Sequence, residues 1–150
     1  LFCGIGGFRL AMNSSQVECV FSSDNDKFAQ QTYEANFHEV PTGDIKAVDE
    51  KDIPKFDILT AGFPCQPFSY AGEKQGFNDE VRGTLFFDVC RILEYHKPPM
   101  VFLENVKGLK SHDKGKTLQT VLDTLKKLGY YPHWTIWSSS ETGKMVLCSL

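Results

Sequence analysis

Leu1-Phe2-Cys3-Gly4-Ile5-Gly6-Gly7-Phe8-Arg9-Leu10-Ala11-Met12 is the stretch on which the reading of the fold turns. A short apolar start runs into Gly4, Gly6 and Gly7, and Phe8, Leu10, Ala11 and Met12 follow. This pattern predicts the end of a buried strand, a tight glycine turn and then a helix. Where side chains are missing at a helix start, backbone N–H groups can approach a polar or anionic ligand closely. Taken alone, the glycines mark an ordinary turn equally well. The sequence opens on Leu1 inside an apolar run, which reads as a fragment with its first strand clipped.

Working outward, the same unit recurs. Residues 17–21 form a short apolar run ending in Ser22, Ser23 and Asp24, and Phe28, Ala29, Tyr33 and Phe37 then follow at roughly helical spacing. Residues 56–61 read as a strand broken by Gly62 and Pro64, and Leu85, Phe86, Val89, Ile92 and Leu93 share one helical face. Pro98 and Pro99 stop that helix ahead of another buried run at 100–103. Leu118, Val121, Leu122, Leu125 and Leu128 mark an amphipathic helix closed by Gly129, and residues 131–137 alternate as a final strand. Strands alternating with helices predict an α/β fold with a mainly parallel sheet and helices on both faces, because parallel neighbours need crossovers.

A chain of 150 residues suits one such domain. Its net charge of −3 leaves no overall basic excess for phosphates, so any nucleic-acid groove must be local. Lys107, Lys110, Lys114 and Lys116 cluster in one loop, but lysines in a polar loop are most often a solvated face. Cys3, Cys19, Cys65, Cys90 and Cys148 lack the close pairing of a zinc site and suit a reducing, cytoplasmic compartment. His38, His96 and His133 are scattered and read as structural, His112 in the lysine-rich loop has no evident partner, and no metal is expected. No apolar run has the ~20 residues a bilayer span needs.

About twenty residues after the glycine turn, Asp24 stands where open α/β folds bind ribose hydroxyls. The dinucleotide fingerprint would place a further glycine where this chain has Arg9, which weakens NAD or FAD and leaves other nucleosides. Cys65 follows Gly62-Phe63-Pro64 at a strand's C-terminal end, the ligand edge of such sheets. Pro64 and Pro67 stiffen the backbone around it, and Gln66, Ser69, Gly72 and Gly76 form a polar loop suited to closing over a substrate. Cys19 and Cys90, in a predicted strand and helix, read as inert small hydrophobes.

Together, Leu1-Phe2-Cys3-Gly4-Ile5-Gly6-Gly7, Gly62-Phe63-Pro64-Cys65-Gln66-Pro67-Phe68-Ser69 and Glu104-Asn105-Val106 resemble, in order and spacing, the bacterial-type cytosine-5 DNA methyltransferases. Gly43-Asp44-Ile45 and Arg82-Gly83-Thr84-Leu85-Phe86-Phe87-Asp88 fit the same pattern, and the resemblance covers roughly residues 1–135. It implies a Rossmann-like methyltransferase fold and S-adenosyl-L-methionine as cofactor. It also implies contacts to that cofactor from Phe2, Gly4, Ile5, Gly6, Gly7, Asp24, Asn25, Asp44, Ile45, Pro64 and Leu85. Cys65 becomes the nucleophile and Glu104 the ring activator, with Pro64, Gln66, Ser69, Asn105 and Val106 around the substrate; Asn105 is also expected to hold its own turn. Asp24 stands where the family usually has Glu, and Asn25 where a large apolar residue is frequent.

By this resemblance residues 1–137 form the catalytic, cofactor-binding part, residues 138–150 are an off-pattern tail, and the target-recognition region is absent. The implied partner is double-stranded DNA, met by a monomer in a bacterial cytoplasm, with a cognate restriction endonuclease as a functional companion. Two alternatives stand beside this: a transfer-RNA cytosine-5 methyltransferase of the same family, and a silent cofactor-binding module or half of a split enzyme.

Overall fold

The computed structural model describes residues 1–14, 16–64, 84–139 and 142–149. Among these residues four strands form one sheet: β1 (Ile58–Gly62), β2 (Met100–Val106), β3 (Pro132–Ser139) and β4 (Thr142–Ser149), in the order β1-β2-β4-β3. β1 pairs parallel with β2, and β4 pairs antiparallel with both β2 and β3. β1, β2 and β3 therefore share one direction, as in a mainly parallel sheet, while β4 reverses and makes two of the three ladders antiparallel.

Four α-helices accompany the sheet among the described residues: α1 (Gly7–Met12), α2 (Lys27–Phe37), α3 (Leu85–His96) and α4 (Lys116–Lys127). The helical spacing in the sequence picks out the buried face of α3, where Phe86, Val89, Ile92 and Leu93 are all buried. On α4 it picks out Leu118, Val121 and Leu125, and Gly129 closes the helix at φ 95°. These faces pack with Leu59, Ala61, Val101 and Leu103 of the two parallel strands into one core. Alternation along β1 and β2 buries every second residue, so the sheet is covered where those side chains point inward.

The structure departs from the sequence reading in three places. Residues 17–21 form no strand: Val17 and Val20 are each 42% exposed, and this part of the chain shows only isolated bridges, Ser14 with Val17 and Ser23 with Thr42. Among the described residues its one backbone bond to the opening segment runs from Cys3 N to Ser23 O (3.0 Å), too little to build a ladder. The second departure is α2, on which Phe28 faces solvent at 79% exposure and only Tyr33 is buried. Third, residues 131–137 do not hold the final strand: β3 reaches Ser139 and β4 inserts between β3 and β2, where the Met145-Val146-Leu147 run supplies strand-forming residues.

Candidate active site

The glycine turn is held by the acid that follows it. Gly4 and Gly6 have φ of 53° and 96°, and Phe2 shares the left-handed region at 52°, so the chain reverses sharply before α1. Gly4 N donates to Asp24 Oδ2 at 2.7 Å, and Asp26 N donates to Asp24 Oδ1 at 2.9 Å. Each carboxylate oxygen of Asp24 thus already accepts a backbone proton and keeps lone-pair capacity for another donor. A side chain at Gly4 would meet no atom within 4 Å, so open space lies beside this turn. Gly6 has a different cause. A Cβ there would lie 2.0 Å from Phe37 Cε2, so packing of the turn onto α2 excludes any larger residue.

Asp24 is also tied to the segment that carries Thr42, Gly43 and Asp44. Asp24 N donates to Thr42 O (3.0 Å), Thr42 N to Ser22 O (2.8 Å) and Ser23 Oγ to Gly43 O (2.9 Å). Asp44 then caps a 3₁₀ turn, Ile45–Ala47, by accepting from Lys46 N at 3.0 Å. Its carboxylate is exposed, whereas Ile45 is a core side chain at 2% exposure. These bonds bring Gly4, Asp24, Gly43 and Asp44, far apart in sequence, to one neighbourhood. Ile5 and Asn25 lie exposed beside it, and Asn36 Nδ2 donates to Ile5 O at 3.2 Å. Gly7 opens α1 with no atom within 4 Å of where a methyl group would sit, and Leu85 opens α3 half-buried against the core.

The other half of the site is built at the C-terminal ends of β1 and β2. Gly62 and Glu104 are partners in the parallel ladder, and a Cβ on Gly62 would sit 3.5 Å from Glu104 Oε2 and 3.8 Å from Phe2 O. The Glu104 carboxylate therefore lies against the strand end from which the Phe63-Pro64-Cys65 segment departs, next to the opening segment of the glycine turn. Asn105 is 4% exposed. Its Nδ2 donates to Phe63 O at 2.7 Å, and its Oδ1 accepts from Val106 N at 2.9 Å. It is buried and holds the turn through these two bonds. Val106 is 59% exposed and Pro64 is exposed. Cys65, Gln66 and Ser69 lie outside the described residues.

Two other thiols are chemically quiet. Burial, with Glu94 nearby, pushes the Cys90 thiol up to about 12, and burial together with Asp24 pushes Cys3 up to about 11. Both are protonated at neutral pH and poor nucleophiles. Cys19 Sγ sits 3.6 Å from Phe21 O and 3.8 Å from Tyr33 Oη. His112, without an evident partner in the sequence, pairs through Nδ1 with Thr117 Oγ1 at 2.6 Å, and Lys110 lies 5.7 Å from the centre of the Trp134 ring. Among the described residues no cluster of His, Cys, Asp and Glu could hold a metal ion, and no helix is long and apolar enough to cross a membrane.

A groove of about 760 Å³ runs along the other side of β1, lined by Arg9, Val17, Tyr33, Phe56, Ile58 and Ile92 among others. It borders the glycine turn at Cys3 and Gly6 but not Glu104 or Asp44. Sequence reasoning missed Arg91, whose guanidinium reaches Asp88, Glu50 and the Ile45 carbonyl. The acid three residues before it on an otherwise apolar helix was the available signal.

A family model described as C-5 cytosine-specific DNA methylase matches residues 1–145. Type II methyltransferase M.HpaII of Haemophilus parainfluenzae is 60% identical over 134 residues, 87% of this chain and 37% of that protein. M.DsaV of Dactylococcopsis salina is 55% identical over 141 residues (94% and 40%), and M.HhaI of Haemophilus parahaemolyticus 53% over 143 (95% and 43%). The chain thus spans about two fifths of the length of these relatives. Among solved structures, Dnmt2 methyltransferase of S. pombe superposes with a TM-score of 0.76 at 22% identity, covering 99% of this chain and 48% of that one. A putative DNA modification methyltransferase of an E. coli prophage gives 0.73 at 19%, covering 99% and 44%. At these identities the structures establish a shared fold.

Proposed function

We infer the chemistry from one premise: the chain belongs to the family of C-5 cytosine-specific DNA methylases. Its fold is the Rossmann-like fold of S-adenosylmethionine-dependent methyltransferases. On this reading the chain carries much of the catalytic apparatus for moving a methyl group from S-adenosyl-L-methionine to C5 of cytosine in DNA. The apposition of Gly62 and Glu104 carries the reading, because it roots the Cys65 segment beside a carboxylate and next to the glycine turn.

The described residues fit the cofactor. The open space beside Gly4, the remaining acceptor capacity of Asp24 and the exposed carboxylate of Asp44 lie together. Asp24 is assigned the ribose hydroxyls and Asp44 the adenine amine, with Phe2, Gly4, Ile5, Asn25, Ile45, Pro64 and Leu85 around them. When bound, the cofactor supplies an electrophilic methyl group.

Cytosine C5 is a weak nucleophile within an aromatic ring. In the proposed reaction the Cys65 thiolate bonds to C6, and the C5–C6 π electrons are displaced into the ring. Glu104, hydrogen-bonded at N3 and the exocyclic amine, offsets the charge that develops there. C5 then takes the methyl group as the methyl–sulfur bond of the sulfonium breaks, its proton passes to water, and the returning electron pair expels the thiolate. A base stacked in a duplex exposes neither face to a thiol, so the cytosine must be swung out first, with Gln66 and Ser69 helping to hold it there.

Covalent trapping tests this. Incubated with S-adenosyl-L-methionine and a 5-fluorocytosine duplex, the chain should form a denaturation-resistant adduct that Cys65→Ala abolishes. An adduct on RNA but not on DNA would move the substrate to RNA. Cofactor binding without any adduct would leave this stretch a binding module needing the rest of a longer enzyme.

A further inference from the structure

We propose that Arg91 is a positioning residue for the loop that presents Asp44 to the cofactor, an inference that rests on the cofactor site assigned above. Its guanidinium joins three parts of the chain. Nε donates to Asp88 Oδ1 on its own helix α3 (3.0 Å), Nη1 to Glu50 Oε2 (2.8 Å) and Nη2 to the Ile45 carbonyl (2.7 Å).

The Arg91 side chain is 17% exposed and that of Asp88 8%, so the Asp88 pair is largely withdrawn from water. The Glu50 turn is fastened to α3 a second time through His96 Nε2 and the Glu50 carbonyl, 2.8 Å apart. The Ile45 turn carries the Asp44 cap, and Ala47 N and Val48 N bond back to the carbonyls of Asp44 and Ile45. Arg91 supplies the hydrogen bond that ties this turn to α3. The α3 helix begins at Leu85, itself assigned to the cofactor, so the same guanidinium fixes the distance between two cofactor-facing elements. A planar fork of donors can serve three acceptors in different directions at once, whereas a lysine ammonium on the same helix position cannot match that geometry.

The test compares the chain with Arg91→Lys, Arg91→Met and, as a milder variant, Glu50→Gln. Amide hydrogen exchange at Ala47 and Val48 reads the loop directly, with β1 and β2 amides as the record of global stability. S-adenosyl-L-methionine affinity is measured by calorimetry well below the melting point. Loss of a hydrogen bond from a charged donor should accelerate exchange at Ala47 and Val48 and weaken binding, each by about 10-fold in Arg91→Met. Arg91→Lys should recover part of both and Glu50→Gln should show a smaller effect in the same sense. Unchanged exchange at Ala47 and Val48 in any folded Arg91 variant overturns the proposal, as does unchanged affinity. Should the unaltered chain bind no cofactor while the exchange effect appears, the clamp stands and the cofactor site falls.

Discussion

Asn105 shows how one side chain links two strand ends. Its amide N–H closes onto Phe63 O, two residues before Cys65, while its neighbour Glu104 lies against Gly62. Replacing it with Ala leaves a carbonyl and an amide proton without these partners in a buried place, and unsatisfied buried groups cost about 1–3 kcal/mol. Asn105→Ala should lower the urea midpoint accordingly, and Asn105→Asp, which keeps the acceptor for Val106 N but loses the donor to Phe63 O, should fall as far or further. Both should slow 5-fluorocytosine trapping more than they weaken cofactor binding. A trapping rate equal to that of the parent would mean the Phe63 bond does not set the nucleophile segment. The motif residues were legible from types and order alone, whereas the bonding of Asn105 was not, since nothing in a sequence says which carbonyl an amide will meet.

At the scale of elements, periodicity reads well where one face is buried and poorly where pairing decides. The faces of α3 and α4 follow from spacing because burial of Val89, Leu93, Val121 and Leu125 enforces it. Residues 17–21 have a strand's composition but lack the ladder, and a strand exists only through its partners. β4 escaped because residues 138–150 read as an off-pattern tail, although the Met145-Val146-Leu147 run follows β3 by only a few residues and pairs with both β3 and β2. Helix α2 offers a local test. Its start is fixed by Asp26, which accepts from Phe28 N (2.8 Å) and Ala29 N (3.0 Å), with a single buried side chain, Tyr33, behind it. Asp26→Ala should cost about 1 kcal/mol. Asp24 two residues earlier holds the glycine turn, so fraying here should also loosen Gly4, seen as faster exchange of its amide. A stability and a Gly4 exchange rate both matching the parent would show that α2 is fixed by packing instead.

For the whole molecule, burial of titratable groups sets how stability should follow pH, and the signs differ at the two ends. Glu50 is held below its ordinary 4.5, chiefly by a backbone hydrogen bond of its own and then by the Arg91 hydrogen bond. Its contribution is present above 4.5 and is lost as pH falls through the lower folded value, because the unfolded chain takes up the proton first. Cys90 and Cys3 work in the opposite sense. Their folded values, about 12 and about 11, lie above the ordinary 9.0, so the folded chain keeps protons that the unfolded chain has released. Their contribution is complete below pH 9 and declines as pH rises toward the folded values, at up to about 1.4 kcal/mol per pH unit for each proton. Tyr33 and Tyr130, both raised by burial, add to the same limb. These groups by themselves leave the urea midpoint level from about pH 5 to 9 and lower it on either side, more steeply when alkaline. Cys90→Ala should flatten the alkaline limb while lowering the plateau, since the thiol also fills space in a core position 4% exposed. A midpoint that stays level between pH 8 and 10.5 in the parent chain would show that the Cys3 and Cys90 thiols reach water freely and are not held protonated by burial.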